Sequence, residues 1–421
     1  MAPASHNVKG PDMKSTPLTI LWPEVSPPDI EEIRFSYDFC RTFSKQSCDN
    51  LQLDISWESH PGTACLREVL PLIKGEMLLH VSEPEIVLSP SALRQLIAGS
   101  QKGYAACGPV YNESEFPHQA AALPAPYVDM DTFLEISEIV EQRQHLTYVD
   151  VDALHPACIL YRLDFLKTLG PDLPLTHIPG RNLEAGKGDA AVSTGALVHI
   201  GFYKGLETER PDLVRLIPAG IRRILDIGCA RGGYGKLLQK LRPEIRVTGV
   251  EVNPDMANLA RPYYHDVLTS AVEEARLNDR FDLVNCGDII EHLRDPWAML
   301  KQISALLRKD GYLVLSIPNA GHWSVAMALL KGEFQYIPLG LLCIGHLRWF
   351  TESSIRKALQ GAGFRVDLFE RQQIPPTPSG EKFIQDTCAA GYGEEASLRT
   401  NEFIIRAAKQ AGTVPDDTPD H

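Results

Sequence analysis

No Cys-x-x-Cys pair occurs in the chain, no apolar run is long and unbroken enough to cross a bilayer, and basic residues do not outnumber acidic ones. Each absence narrows the field. The nine cysteines, at 40, 48, 65, 107, 158, 229, 286, 343 and 388, are scattered and odd in number, which suits reduced thiols in a cytoplasm better than a disulfide scaffold or a zinc cluster. The most apolar window, 324–347, is interrupted by Lys331, Glu333 and Pro338, so no membrane span is expected. A formal charge of −13 withholds the basic footprint that nucleic acid or an anionic membrane demands. No secretory signal is expected, because residues 1–14 are polar and broken by Pro3, Gly10 and Pro11.

The composition is that of a globular chain, 44% hydrophobic and 23% charged, and 421 residues exceed what one core usually spans, so two domains are expected. The organising stretch is Ile224-Leu-Asp-Ile-Gly-Cys-Ala-Arg-Gly-Gly-Tyr-Gly235. Its apolar start reads as a buried parallel strand, its glycines as a tight turn, and Tyr234–Lys240 as a helix with Leu237, Leu238 and Leu241 on one face. Such a turn lets backbone N–H groups approach a ligand at a helix N-terminus.

Later segments keep the pattern. Arg246–Val252 is a second strand with Glu251 twenty-five positions after Asp226, where such folds set an acid against ribose hydroxyls. Asp266 reads as the end of a third strand, and Phe281–Cys286 as a fourth, running into Gly287-Asp288-Ile-Ile-Glu291-His292-Leu293. A helix, Pro296–Leu307, leads through the turn Lys309-Asp310-Gly311 into the strand Tyr312–Ile317.

These residues resemble the class I S-adenosylmethionine-dependent methyltransferases. The loop resembles that family's Asp-x-Gly-x-Gly-x-Gly, and Glu291-His-Leu-Arg-Asp-Pro296 its Glu-His-Leu-x-Asp-Pro. Ser316-Ile-Pro-Asn319 with His346-Leu-Arg-Trp-Phe-Thr351 resembles the subgroup of ubiquinone-biosynthesis and polysaccharide-cluster O-methyltransferases. Ala230 departs from the pattern, standing where the family usually has its second glycine. The resemblance covers 205–408 and implies a Rossmann-like α/β domain with a seven-stranded sheet and an antiparallel last hairpin. It also implies S-adenosyl-L-methionine as cofactor, with Gly228, Gly232 and the backbone of Cys229 cradling the methionine part. Asp226 would fix the loop, Glu251 bind the ribose, Asp266 and Val267 meet the adenine, and Gly287 and Asp288 border the methionine. His292 and His346 are the candidate bases for a hydroxyl acceptor, and Asp288 shapes the same rim. Arg348 is a candidate for an anionic substrate group. The segment 320–345, rich in Leu, Met, Phe, Tyr and Trp, is expected to lie over the active-site mouth.

Ahead of this domain, 17–200 alternates strands and helices: Leu18–Trp22, a helix from Asp29 to Phe43, Leu51–Trp57, a helix over 63–72, Met77–Val81 and a helix from Pro90. The arrangement resembles GT-A-type glycosyltransferases, whose acid pair after a central strand holds a divalent metal. Glu83-Pro84-Glu85 stands there, retaining charge but not the Asp-x-Asp pattern. Glu83 and Glu85 are thus the metal candidates, with a plain surface turn as the preferred explanation of the pair. Residues 172–189 read as a long Pro- and Gly-rich loop, and 1–16 and 409–421 as disordered tails. The leading expectation is O-methylation of a sugar or polysaccharide precursor, with a small-molecule or glycan acceptor as partner. A chain that also transfers a sugar and a non-catalytic cofactor-binding scaffold are the alternatives.

Overall fold

The computed structural model describes residues 17–24, 31–49, 51, 53–61, 64–175, 189–202, 209–277 and 279–410. The chain divides into two units, Met1–Phe202 and Tyr203–His421. The N-terminal tail, the cap at Asp29, most of the 172–189 loop and residues 411–421 lie outside the described residues.

The first unit is a mixed sheet. Its strands are β1 (Leu18–Glu24), β2 (Ile55–Pro61), β3 (Met77–Val81), β4 (Ile86–Val87), β5 (Ala106–Tyr111), β6 (Tyr148–Asp150), β7 (Cys158–Arg162) and β8 (Ala190–Ile200). They lie in the order β2-β1-β3-β7-β5-β8-β4, with β6 against β8. β1 runs parallel to both β2 and β3, and β7 antiparallel to β3 and β5. Every residue from Leu18 to Trp22 is buried, which explains why β1 shows no polar alternation. The helix Pro90–Gln101 starts where Ser89 Oγ accepts the Ala92 N–H at 3.1 Å and Pro90 occupies the first turn. The expected helix over 63–72 is cut short. Pro71 cannot donate a backbone hydrogen bond, and the chain makes one turn at Leu66–Val69 followed by a tighter one at Leu70–Leu72. The strand expected at 51–57 begins instead at Ile55, the partner of Leu18 in β1.

The second unit holds β9 (Arg223–Ile227), β10 (Arg246–Glu251), β11 (Asp266–Thr269), β12 (Phe281–Gly287), β13 (Leu307–Pro318), β14 (Phe364–Gln373) and β15 (Thr400–Lys409). Their order is β11-β10-β9-β12-β13-β15-β14. β9 to β13 are mutually parallel, and β15 is antiparallel to β13 and β14. Both faces of this sheet are covered. Leu225 and Ile227 pack with the helices Pro296–Leu306 and Glu352–Gly361. Ile224, just ahead of Leu225 and so of opposite parity, packs on the other face with the helix Gly233–Leu241. Two expectations are corrected here. Lys309-Asp310-Gly311 is an irregularity inside β13, with Asp310 left-handed at φ 65, and not a turn ahead of it. Lys409 ends β15 and is no part of a tail: its ammonium donates to the carbonyls of Ser304 and Leu307 at 2.6 and 3.0 Å, near the end of the helix Pro296–Leu306.

Candidate functional site

In the second unit the strand order reverses between β9 and β12. The crevice at the carboxyl ends of these two strands is where an open α/β sheet takes a ligand. The glycine loop lies at this end. Gly228 is left-handed at φ 73, and a Cβ there would stand 2.0 Å from Ile289 Cδ1. Gly232 has φ 90, and a Cβ there would meet Ala260 Cα at 2.8 Å. The left-handed backbone at both positions, and at Gly232 the Ala260 backbone as well, therefore favours glycine without any ligand. The N–H groups of Gly228 and Cys229 donate to Val250 O at 2.8 and 3.1 Å, so they are spent on β10 and do not form the expected cradle. Of the first-turn amides of the helix Gly233–Leu241, which have no intrahelical acceptor, that of Gly235 is taken by Tyr264, so those of Gly233 and Tyr234 are the donors the fold leaves for a ligand.

Ala230 is also left-handed, at φ 43, and its N–H donates to Glu251 Oε2 at 2.9 Å. Glu251 Oε1 accepts the Asn253 N–H at 2.8 Å. The carboxylate thus locks the loop with one lone pair per oxygen and keeps acceptor capacity for a pair of vicinal hydroxyls. Beneath it Asp226 is only 2% exposed. It accepts from Asn285 Nδ2 at 2.7 Å and from the Tyr264 hydroxyl at 2.5 Å. Burial pushes its pKa up to about 6 against the pull of those two hydrogen bonds. The Tyr264 oxygen in turn accepts the Gly235 N–H at 3.1 Å, joining Asp226 to the helix start. Asn285 Oδ1 and the Tyr234 hydroxyl are buried and have no partner among the described residues. The free capacity of Glu251 and the unspent first-turn amides fit a ligand with a ribose and an amino-acid group.

Asp266 and Val267 are placed otherwise than the sequence suggests. Asp266 begins β11 and pairs with Thr248, whereas Thr269 pairs with Glu251 at the ligand end. At about 3.3 Å per residue, Asp266 is set back by roughly 10 Å. Val267 is core, 4% exposed. The segment that reaches the crevice from β11 is Thr269-Ser270, whose Ser270 N–H donates to Glu251 O at 3.0 Å. The misreading has a simple cause, since an acid beside a short apolar run marks a strand end without saying which end.

The loop after β12 carries the remaining groups. Gly287 closes the strand, and Asp288 is left-handed at φ 51. Asp288 Oδ1 accepts from Ser316 Oγ at 2.8 Å, and Ser316 Oγ accepts the Asp288 N–H at 3.0 Å. The Asp288 Oδ2 atom takes a guanidinium hydrogen bond from Arg210. Arg210 also donates to Asp212 at 2.9 Å and to Glu402 at 3.0 Å. Burial pushes Asp288 up, but Arg210 and the hydrogen bonds outweigh it and hold the acid ionised. Glu402, chiefly through burial and the nearby Asp288 charge, rises to about 8. Sequence reasoning missed this network, since Arg210 and Glu402 are far apart in the chain and only the closure of β15 against β13 brings them together.

Glu291 is 1% exposed, and burial together with Asp288 raises its pKa well above the usual carboxylate range. Its backbone carbonyl accepts the N–H groups of Leu347 and Arg348 at 2.9 and 3.0 Å. His292 is exposed, and its ring lies 4.8 Å from that of His346, nearly perpendicular. His346 is buried, with Nδ1 donating to Leu341 O at 3.0 Å and Nε2 4.0 Å from Glu291 Oε1. Burial and His292 push the His346 pKa down to about 4. One ligand atom from each of Glu291, His292 and His346 can be chosen so that all three lie within 4.8 Å of one another, a donor set that could hold a divalent ion. Glu83 and Glu85 belong to no such group among the described residues. Glu85 Oε1 instead accepts from Ser36 Oγ at 2.7 Å.

Residues 194–368 match the family described as "Methyltransferase domain". A ubiquinone biosynthesis O-methyltransferase of Xanthomonas axonopodis pv. citri is 31% identical over 164 residues, covering 36% of this chain and 66% of the relative. Another from Bradyrhizobium diazoefficiens is 30% identical over 128 residues, covering 28% and 49%. The chain therefore spans about half to just under two thirds of the length of these curated relatives. A solved methyltransferase of Thermotoga maritima, described as a possible histamine N-methyltransferase, is 21% identical over 48% of this chain and 88% of its own, with a TM-score of 0.35.

Proposed function

We propose that this chain, whose C-terminal unit is a class I S-adenosylmethionine-dependent methyltransferase domain, methylates a hydroxyl of a sugar or polysaccharide precursor. The cofactor supplies a methyl group activated on a sulfonium. Glu251 receives the ribose hydroxyls and the start of the helix Gly233–Leu241 the carboxylate, while Asp226, tied to Tyr264 and Asn285, keeps the loop in shape. His292 takes the proton of the acceptor hydroxyl as its oxygen attacks the methyl carbon and the carbon–sulfur bond breaks. The observation that carries this reading is the exposed His292 ring on the loop after the carboxyl end of β12, the strand that neighbours β9 and its glycine loop. His346 is a poorer base, being buried and held neutral. Its role is to hold the His292 side of the pocket.

Labelled cofactor incubated with cell extract, followed by mass analysis of the product, tests the reading and identifies the acceptor. His292→Ala is expected to lower turnover with cofactor affinity intact. Equal loss of both would make His292 structural. The clustering of Glu291, His292 and His346 favours a second reading, in which the same atoms hold a divalent ion that binds the acceptor oxygen. Loss of activity on chelation and recovery on adding metal would select it.

The first unit, on this reading, is a GT-A-like domain that orients the glycan. Its support is the sheet with β1, β2 and β3 parallel and Glu83 and Glu85 just past β3. Absence of manganese-stimulated sugar transfer is expected. Transfer abolished by Glu85→Ala would instead make the chain bifunctional.

A further inference from the structure

We infer that the segment Phe334–Trp349 is the surface on which the acceptor rests, and that the acceptor it takes is a pyranose carrying an anionic group. The inference rests on the methyl-transfer reading above and names the substrate class of that same site. Phe334, Tyr336 and Trp349 form one ring cluster, with centroids 5.4, 5.6 and 6.4 Å apart. They are 43, 38 and 38% exposed. Aromatic rings carry the largest apolar payload of any side chains, so three left in water together mark a contact surface.

The cluster is joined to the reacting centre. The Ile344 N–H donates to Ile337 O at 2.9 Å, and Leu347 and Arg348 both donate to the carbonyl of Glu291. Gly345 passes so close to His292 that a Cβ would stand 2.9 Å from its Nδ1. Trp349 lies three residues from His346, so at about 3.3 Å per residue the platform begins within roughly 10 Å of that histidine, a reach of one or two sugar units.

Two observations select the ligand. First, the exposed cluster is aromatic, with Phe334 standing at 82° to Tyr336 and 80° to Trp349 and the latter two tilted by 42°, so a single ring offers its face to the C–H face of a pyranose whose hydroxyls stay in water. Second, the Arg348 guanidinium donates to two carbonyls, those of Leu347 at 2.8 Å and Arg294 at 2.5 Å, and has no carboxylate partner among the described residues. Acids outnumber bases in this chain, so an arginine oriented at the site mouth without one is a receptor for a carboxylate or phosphate. A single such cation is too little for an anionic bilayer, which calls for a basic cluster.

Saturation-transfer NMR on the full chain with S-adenosylhomocysteine tests this, using glucuronic acid, glucose 1-phosphate and methyl glucoside as probes. Saturation of the pyranose C–H protons is expected for all three, with the anionic probes binding about tenfold tighter, the worth of one charge-assisted hydrogen bond. Arg348→Gln should remove that preference. Trp349→Ala and, separately, Phe334→Ala should remove the saturation while S-adenosylhomocysteine binding, measured by calorimetry, shows that each variant is folded. A response to one anionic probe alone tells a carboxylate from a phosphate ligand and supports the assignment. No saturation by wild type, saturation unaffected by both aromatic variants, or Trp349-dependent sedimentation with phosphatidylglycerol vesicles would overturn it. Saturation that survives in a protein unable to bind S-adenosylhomocysteine would support the sugar surface and defeat the methyl-transfer reading instead.

Discussion

Arg210 and Asp288 are both left-handed, at φ 49 and φ 51, and are joined to each other by an ion pair. Each strained backbone costs about 1–2 kcal/mol in isolation, so the pairing fixes two unfavourable conformations at once. One lies at the entry to the second unit and the other on the loop that carries His292. Arg210 is also the cation shared by Asp212, Asp288 and Glu402.

Replacing Arg210 by Met should therefore destabilise the chain by about 1–3 kcal/mol, because half-buried carboxylates lose their counter-charge and solvent screens part of the loss. Glu402→Gln should change stability by less than about 1 kcal/mol. With its pKa at about 8, Glu402 is largely protonated at neutral pH, and an amide mimics that state. Urea unfolding of both variants checks the contrast.

Ala230→Gly should leave cofactor affinity unchanged and raise stability slightly. Relief of a left-handed alanine, about 1–2 kcal/mol, is partly offset by the extra unfolded-chain entropy of glycine, roughly 0.5–1 kcal/mol. Ala230→Val should do the reverse, since a branched side chain fits φ 43 worse. A shift in the unfolding midpoint decides the sign.

Buried neutral histidines predict acid sensitivity. Burial lowers the pKa of His80 to about 3, His199 to about 4 and His322 to about 3, with His60 also lowering that of His80. Each group binds its proton more readily when unfolded, near pH 6.5. Its contribution is complete above that pH and falls by about 1.4 kcal/mol per unit as pH drops toward the folded value. Thermal unfolding should thus shift down between pH 6.5 and 4, and His322→Asn should flatten that slope.

Much of this was legible in the sequence, and the residues show where legibility stops. Apolar runs gave β9, β10 and β12 nearly to the residue, because strands buried on both faces have no competing pattern. Glu251 stands out in the sequence as the acid that ends an apolar run twenty-five positions after Asp226, and in the structure it closes β10 and holds the Ala230 and Asn253 amides. Asp266 was misplaced because spacing gives distance along the chain and not direction within a strand. The glycines were credited to the ligand, whereas their left-handed backbone, and at Gly232 the Ala260 backbone, already favours them. Tyr264, Asn285, Arg210 and Glu402 left no local signal of this network, since the contacts that tie them to Asp226, Asp288 and each other span 38 or more residues.

The placement of the cofactor at Glu251 is the central claim, and calorimetric titration with S-adenosylhomocysteine tests it most directly. Wild type should bind at one site, and Glu251→Ala should weaken binding by about 1–3 kcal/mol, the cost of leaving buried donors unpaired. Asp266→Ala, set back along β11, should bind like wild type, as should His292→Gln. Absence of binding by wild type, or a loss with Asp266→Ala that matches the loss with Glu251→Ala, would contradict it.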